Sequence, residues 1–404
     1  MNTELQSHPK PTRCDAPVVD ARVVLLTHYI PIYQLPIYQE LSRQIRDFHV
    51  LLSTDVEPNR HFQPRWEGLD VTLQKTLTLQ RRWRHSAGFD DTLYVHVPYD
   101  TGRQLRRLQP DIVLSLELGF RSLASSLHRI LHRRSKLILC TYMSQHTEQG
   151  RGMMRAAARR WLIGRADAIT YNGPSCFDVL SDLGADPKRL FHFPYAANPD
   201  SIYTGPLQPS GSPSVTRMLY IGQMTQRKGV EAMVEQVVRY AQQHADQEFQ
   251  LTMVGEGPLR EPLSAAATPA NLAIEFTGNL PSEQLPTLMP AHDLLIFPTL
   301  ADEWGLVVNE ALHSGLPVIG SLLAQASTTL LQDDRNGWLY DPRDDNGLAG
   351  CLDRWLACDV ADRASMAGAC RDSVRDRTPA FAASGLIDAC QFVMGHSTND
   401  RCND

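Results

Sequence analysis

Short apolar runs recur along the chain, and the stretches between them carry helical text. Residues 23–26, Val-Val-Leu-Leu, form a run of the kind that a strand buried on both faces needs, and a loop and a helix around Ile37 to Ile45 follow. Residues 48–53, 111–116, 137–141, 168–171 and 190–194 repeat the pattern. Strands alternating with helices predict a parallel sheet covered on both faces. At 204–216 the text turns rich in Pro, Gly and Ser, which predicts an interdomain linker. A second α/β series begins at 217–221 and continues through strands at 249–254, 274–276 and 294–297. The organisation expected is a mobile tail at 1–20, a first domain at 21–203, the linker, a second domain at 217–378, and a closing helix and tail at 379–404.

Length agrees with this division, because 404 residues are too many for one ordinary core. The first 20 residues are polar, contain Pro9, Pro11 and Pro17, and lack the basic-then-apolar order of a secretory signal. No apolar run approaches the roughly 20 residues that span a bilayer. Eight cysteines are scattered without a C-x-x-C pair, which argues against a zinc site or a disulfide framework and suits a reducing cytoplasm. Cys351, Cys358 and Cys370 fall in helical text and read as small hydrophobes. Charge divides between the halves: residues 1–200 hold 26 Lys and Arg against 20 Asp and Glu, a net of +6, and residues 201–404 hold 13 against 25, a net of −12. A basic half joined to an acidic half predicts different partners for the two.

Candidate chemistry concentrates at 301–319. Asp302 and Glu310 stand with seven residues between them, Gly305 lies at what reads as a helix start, and Gly315-Leu316-Pro317 leads into Val318-Ile319. Acids are tolerated in a buried site when a ligand's donors pair with them, and a polyol offers such donors. A helix N-terminus beside them supplies backbone N–H groups for an anion. Polyol plus anion describes a nucleotide sugar. By itself the segment also fits a capped amphipathic helix with two solvated acids.

Three further pieces stand with it: 220–223 (Tyr-Ile-Gly-Gln) through Lys228-Gly229-Val230, then 254–258 (Val-Gly-Glu-Gly-Pro), then Phe276-Thr277-Gly278. With Phe297-Pro298 through Glu310 these occur in the order and at the spacings of the group-1 glycosyltransferases (glycosyltransferase family 4), which the chain resembles across roughly residues 217–345. The resemblance implies the GT-B fold: α/β, two Rossmann-like parallel-sheet domains facing a central cleft, with the final helix packed back on the first domain. It also implies a retaining, metal-independent hexosyltransferase. Such an enzyme moves a sugar from a UDP-sugar or GDP-sugar to a hydroxyl of a lipid-linked or polysaccharide acceptor and needs no cofactor.

Negative charge develops on the departing diphosphate, and a metal or fixed cations must stabilise it. Lys228 stands where the family keeps its phosphate Lys. The family's Gly-Arg pair reads Gly222-Gln223 here, and Arg227 is expected to supply the missing cation, since Arg suits bidentate phosphate contact. Glu310 matches the acid that holds the ribose hydroxyls. Asp302 replaces the usual Glu that holds the transferred sugar and is one methylene shorter, so either the sugar approaches closer or Glu303 shares that task. The N–H groups of Trp304, Gly305, Leu306 and Val307 would cradle the anion, and Gly278 with Asn279 would wall the base. Residues 254–258 lack the third Gly of a dinucleotide fingerprint. No D-x-D pattern lies near a strand end and no His-rich or carboxylate cluster suggests a metal site.

The first domain departs from the family. Its 27–36 loop lacks the common Gly-Gly pair. The loop's hydroxyls and His28 either take over from backbone amides or only shape the cleft. His146, three residues beyond Thr141-Tyr142-Met143, is the candidate catalytic residue there, with Glu148 beside it. Two other readings stay open: a UDP-sugar 2-epimerase of the same architecture, and a non-catalytic nucleotide-sugar-binding protein, which the Gln223 and Asp302 departures allow. Arg151, Arg155 and Arg159 recur every four residues, with Arg160 and Arg165 nearby and Met153, Met154 and Trp161 as apolar neighbours. That is either a basic amphipathic helix on anionic lipid or a solvated face with its apolar side in the core. The expected location is cytoplasmic, peripheral to the membrane in the first case. No aromatic-interleaved basic motif suggests nucleic acid.

Overall fold

The computed structural model describes residues 17–57, 63–84, 88–150, 152–207 and 215–395. Most of the expected tail at 1–20, the linker positions 208–214, Arg151 and the residues past 395 lie outside the described residues. The chain forms two units. One comprises Met1–Trp83, Thr92–Ala196 and Arg377–Asp404, and the other Arg84–Asp91 and Ala197–Asp376.

In the first unit, apart from the Arg84 end of β4 and the Asp90–Asp91 start of β5, the strands are β1 (Val19–Thr27), β2 (Ile45–Leu52), β3 (Asp70–Leu73), β4 (Thr76–Arg84), β5 (Asp90–Pro98), β6 (Ile112–Leu116), β7 (Lys136–Cys140), β8 (Ala168–Tyr171) and β9 (Leu190–His192). Seven of them form a parallel sheet in the order β3-β2-β1-β6-β7-β8-β9, and β4 and β5 pair separately. Val23, Val24, Leu25 and Leu26 are all fully buried, alternating between two hydrophobic clusters, so helices cover both faces. The order reverses between β1 and β6, where an open parallel sheet leaves a crevice at its carboxyl edge. The Pro379–Val393 helix belongs to this unit and buries Ala382, Ala383, Leu386, Ile387 and Cys390 in its core. It lies so close to β9 that a Cβ on Gly385 would stand 1.7 Å from the His192 carbonyl oxygen.

In the second unit the strands are β10 (Val215–Ile221), β11 (Glu248–Val254), β12 (Leu272–Gly278), β13 (Leu294–Phe297), β14 (Val318–Ser321) and β15 (Gly337–Tyr340), ordered β12-β11-β10-β13-β14-β15 and all parallel. Its core holds the fully buried Trp338 and Trp355. The order reverses between β10 and β13. The six described cysteines, Cys140, Cys176, Cys351, Cys358, Cys370 and Cys390, are free thiols. Among the described residues no helix is long and apolar enough to cross a membrane.

The arginine stripe needs correction. In the Met153–Ile163 helix Arg159 turns inward, is buried, and pairs with both carboxylate oxygens of Glu148, and Arg155 lies 3.7 Å from the same acid. A buried guanidinium needs a counter-charge, and Glu148 on the adjoining Gln145–Glu148 turn supplies it. Glu148 is therefore a structural partner of Arg159, and of this pair of arginines only Arg155 remains exposed, so the two do not form a shared solvent face. Met153 and Met154 on this helix are about nine-tenths exposed.

Candidate functional site

Within the second unit, the predicted residues converge on the carboxyl edge of the sheet at its reversal point. After β10 the chain makes a short turn, Gln226–Lys228, that ends on Gly229. Gly229 has φ +67°, and a Cβ there would lie 2.2 Å from the Pro298 carbonyl oxygen, so only glycine lets this turn press against the loop after β13. Hydrogen bonds from the Leu300 N–H and the Thr299 hydroxyl to the Arg227 carbonyl lock the two loops together. The turn thereby places Lys228 against Asp302: its ammonium donates to the carboxylate and lies 5.6 Å from the Phe297 ring centroid. Arg227 donates to the Ala301 carbonyl at 3.1 Å and stands 4.0 Å from Asp302.

Burial alone would raise the Asp302 carboxyl. Lys228 and Arg227, the Lys228 hydrogen bond and the Trp304 N–H outweigh it and hold the group below its ordinary range, ionised. The Trp304 N–H, expected at the anion cradle, contributes here to holding Asp302 ionised. Its side chain is a buried peg: the indole N–H donates to Asn309 at 2.7 Å and the carbonyl accepts from the Ala326 N–H. Gly305, in the left-handed region, precedes the Leu306–His313 helix. The amides of Gly305, Leu306 and Val307 stand at that helix start, where no intrahelical partner exists. Glu303 is exposed, and its carbonyl accepts from Gln325.

Glu310 sits one turn further along the same helix. Its carboxylate accepts from the Ser201 hydroxyl at 2.8 Å, and burial pushes its pKa from 4.5 up to about 7 against that hydrogen bond. Ser201 was missed by sequence reasoning. It belongs to a short turn, Pro199–Ser201, whose Asn198 side chain accepts from the Asp200 N–H. That N-P-D-S turn signal is visible in the sequence, but nothing in it points at Glu310. Gly222 and Gly278 close the carboxyl ends of β10 and β12: the Gly222 N–H donates to Val254 and the Gly255 N–H to Gly278. Asn279 follows, exposed.

The first unit carries a polar cluster of its own at its reversal point. His28 follows β1, Glu117 follows β6, and their side chains stand 3.6 Å apart. Arg121 donates to Glu117 at 2.9 Å and to the Ser53 hydroxyl, after β2, at 3.1 Å. Glu117 has φ +63°, a left-handed conformation that costs a non-glycine residue about 1 kcal/mol or more and marks functional sites. Burial lowers the His28 pKa, assisted by Arg121 and opposed by Glu117, so the ring is neutral at pH 7. Desolvation would raise the half-exposed Glu117 side chain, but the Arg121 charge and its hydrogen bond hold it below its ordinary range, ionised. Sequence reasoning named His28 and missed Glu117 and Arg121. The topological position after β6 was the available signal. His146 is half-buried on the Gln145–Glu148 turn after β7. Among the described residues no group of three or more His, Cys, Asp or Glu is arranged to hold a metal ion.

Comparison with known proteins agrees with this geometry. Residues 215–358 match the family model of Glycosyl transferases group 1. The 2-deoxystreptamine glucosyltransferase of Streptomyces kanamyceticus is 31% identical over 176 residues, 40% of this chain and 44% of that protein. The D-inositol 3-phosphate glycosyltransferase of Corynebacterium diphtheriae is 26% identical over 253 residues, 57% of each. The matched stretches thus span about half of these relatives. Anabaena Alr3699/HepE in complex with UDP superposes with a TM-score of 0.69 at 13% identity, covering 92% of this chain and all of that one. The lipopolysaccharide outer core galactosyltransferase WaaB superposes with a TM-score of 0.67, also at 13% identity, covering 91% and 98%. Residues 215–358 are thus similar to the group 1 glycosyl transferases, and the chain has two parallel-sheet α/β units of the GT-B fold.

Proposed function

We propose that the protein is a retaining, metal-independent glycosyltransferase that moves a sugar from a UDP-sugar or GDP-sugar to a hydroxyl of a lipid-linked or polysaccharide acceptor. The observation that carries this reading is the set of charges in the second unit: Lys228 and Arg227 converge on Asp302 beside the start of the Leu306–His313 helix, with Glu310 one turn on. Two cations and a helix start suit a diphosphate, and two acids suit two groups of hydroxyls. Glu310 would accept from the ribose and Asp302 from the transferred sugar.

In the reaction the bond between the anomeric carbon and the diphosphate oxygen breaks, and the acceptor oxygen bonds to that carbon on the same face. The acceptor proton passes to the departing diphosphate. Lys228, drawn from Asp302 toward the growing negative charge, and Arg227 stabilise that departure. In the first unit the Glu117 carboxylate and neutral His28 would accept hydrogen bonds from the acceptor's hydroxyls, with Arg121 holding Glu117. A donor screen tests the reading: purified protein is given UDP-sugars and GDP-sugars with and without acceptors, and released UDP or GDP and new glycoside are measured. Acceptor-dependent release with an axial or equatorial configuration kept is expected. Conversion of the donor without a glycosidic product would make it an epimerase, and binding without turnover a sensor.

A further inference from the structure

The Phe120–Leu131 helix of the first unit is inside out. Its buried face is Arg121, Ser122, Ser125, Ser126 and His128, with Ser122 hydrogen-bonded to Ser115 of β6 at 2.9 Å. Its outward face is apolar: Phe120, Leu123, Leu127 and Ile130 are 42–49% exposed and Leu131 is 77% exposed. An amphipathic helix normally turns such a stripe to the core. Two helices pack against this one, Thr101–Leu108 and Met153–Ile163, and the second adds Met153, Met154 and Trp161 to the exposed apolar set. Contiguous exposed apolar surface of this kind marks an interaction site.

Charge selects the occupant. The segments 101–110, 119–136 and 152–166 contain no Asp or Glu. Arg103, Arg106, Arg107, Arg133, Arg134 and Arg160 are exposed on them and form no ion pair among the described residues. A second copy of this chain seated on the same face would set arginine against arginine, so a symmetric dimer is disfavoured. Apolar side chains in the middle and arginines without acids around them suit an interfacial position on an anionic bilayer.

We infer that this three-helix face of the first unit, centred on Leu123, Leu127 and Leu131, docks the protein on an anionic lipid surface. The inference stands independently of the sugar-transfer reading. It replaces the Arg155–Arg159 stripe with a different surface, since Arg159 is committed to Glu148. The apolar row would sit among the acyl chains at the headgroup boundary while the arginines meet lipid phosphates.

The test uses the full chain with phosphatidylcholine vesicles, with and without phosphatidylglycerol, in co-sedimentation at low and high salt. Wild type should sediment with the anionic vesicles, remain in solution with phosphatidylcholine alone, and lose binding as salt rises. The pair Leu127→Glu with Leu131→Glu, and separately Arg133→Glu with Arg134→Glu, should each reduce binding by roughly tenfold or more. These positions are exposed, so the melting temperature should stay near that of wild type. Wild type that ignores anionic vesicles at low salt overturns the proposal and turns attention to an acidic protein partner. So does a lipid-free dimer dissolved by the leucine variants, or variants that bind vesicles as wild type does.

Discussion

Protonation of Glu310 is the sharpest handle on nucleotide recognition. Burial has raised this carboxyl from 4.5 to about 7. Ribose hydroxyls that donate to it need the carboxylate, because the protonated form trades an acceptor for a donor. If only the ionised form binds, the apparent Kd exceeds its limiting value about twofold at pH 7, about elevenfold at pH 6 and about a hundredfold at pH 5. Binding at pH 7 then releases about half a proton. The assay is titration calorimetry with a nucleoside diphosphate sugar, whose bridged phosphates do not titrate in this range, in buffers of different ionisation enthalpy. Glu310→Gln should bind roughly tenfold more weakly at high pH, since an amide is a poorer acceptor than a carboxylate, and should lose both the pH slope and the proton release. Removing the Ser201 hydroxyl, which favours the charged form, should move the wild-type profile to higher pH. For folding without ligand the native pKa lies above the unfolded one. The native state therefore holds more protons between about 4.5 and about 7, and this group's contribution to stability falls as pH rises through that window. A flat wild-type binding profile, or an equal slope in Glu310→Gln, refutes the assignment.

Lys228→Ala should lower kcat by about 10²–10³, as loss of one transition-state cation does, with a smaller effect on donor affinity. Because Lys228 and Asp302 share one ion pair, Asp302→Asn and Lys228→Ala should be strongly non-additive in a double-mutant cycle, and simple additivity would mean that the pair is not part of the working state. Gly229→Ala should cost about 1–3 kcal/mol in denaturant unfolding and depress turnover, since its Cβ collides with the Pro298 carbonyl and shifts the Lys228 turn; an unchanged midpoint would contradict that. Glu117→Gln should raise the acceptor KM by roughly tenfold while leaving the donor Kd unchanged, and an equal loss of donor affinity would remove Glu117 from the acceptor role.

Much of this molecule can be read along the chain. Central strands of the two sheets, such as β6, β13 and the Val23–Leu26 part of β1, are short apolar runs bounded by polar or Gly/Pro text, because a strand buried on both faces has no room for anything else. Lys228 and Asp302 lie 74 residues apart, yet each closely follows a strand, and a parallel sheet brings the carboxyl ends of neighbouring strands together whatever their separation. What resisted reading depends on packing. Ser201 reaches Glu310 across 109 residues through a turn that could have pointed anywhere. The Trp304 N–H goes to Asp302, and Glu148 draws Arg159 inward, by contacts that no spacing announces. Glu117 is set apart by a backbone angle, which leaves no trace in residue type. The Phe120–Leu131 helix is the plainest case: periodicity divides a helix into two faces, but which face meets the sheet depends on what the sheet offers. Here it offers the Ser115 hydroxyl and the Glu117 carboxylate, so the serines and Arg121 turn inward and the leucines are left outside.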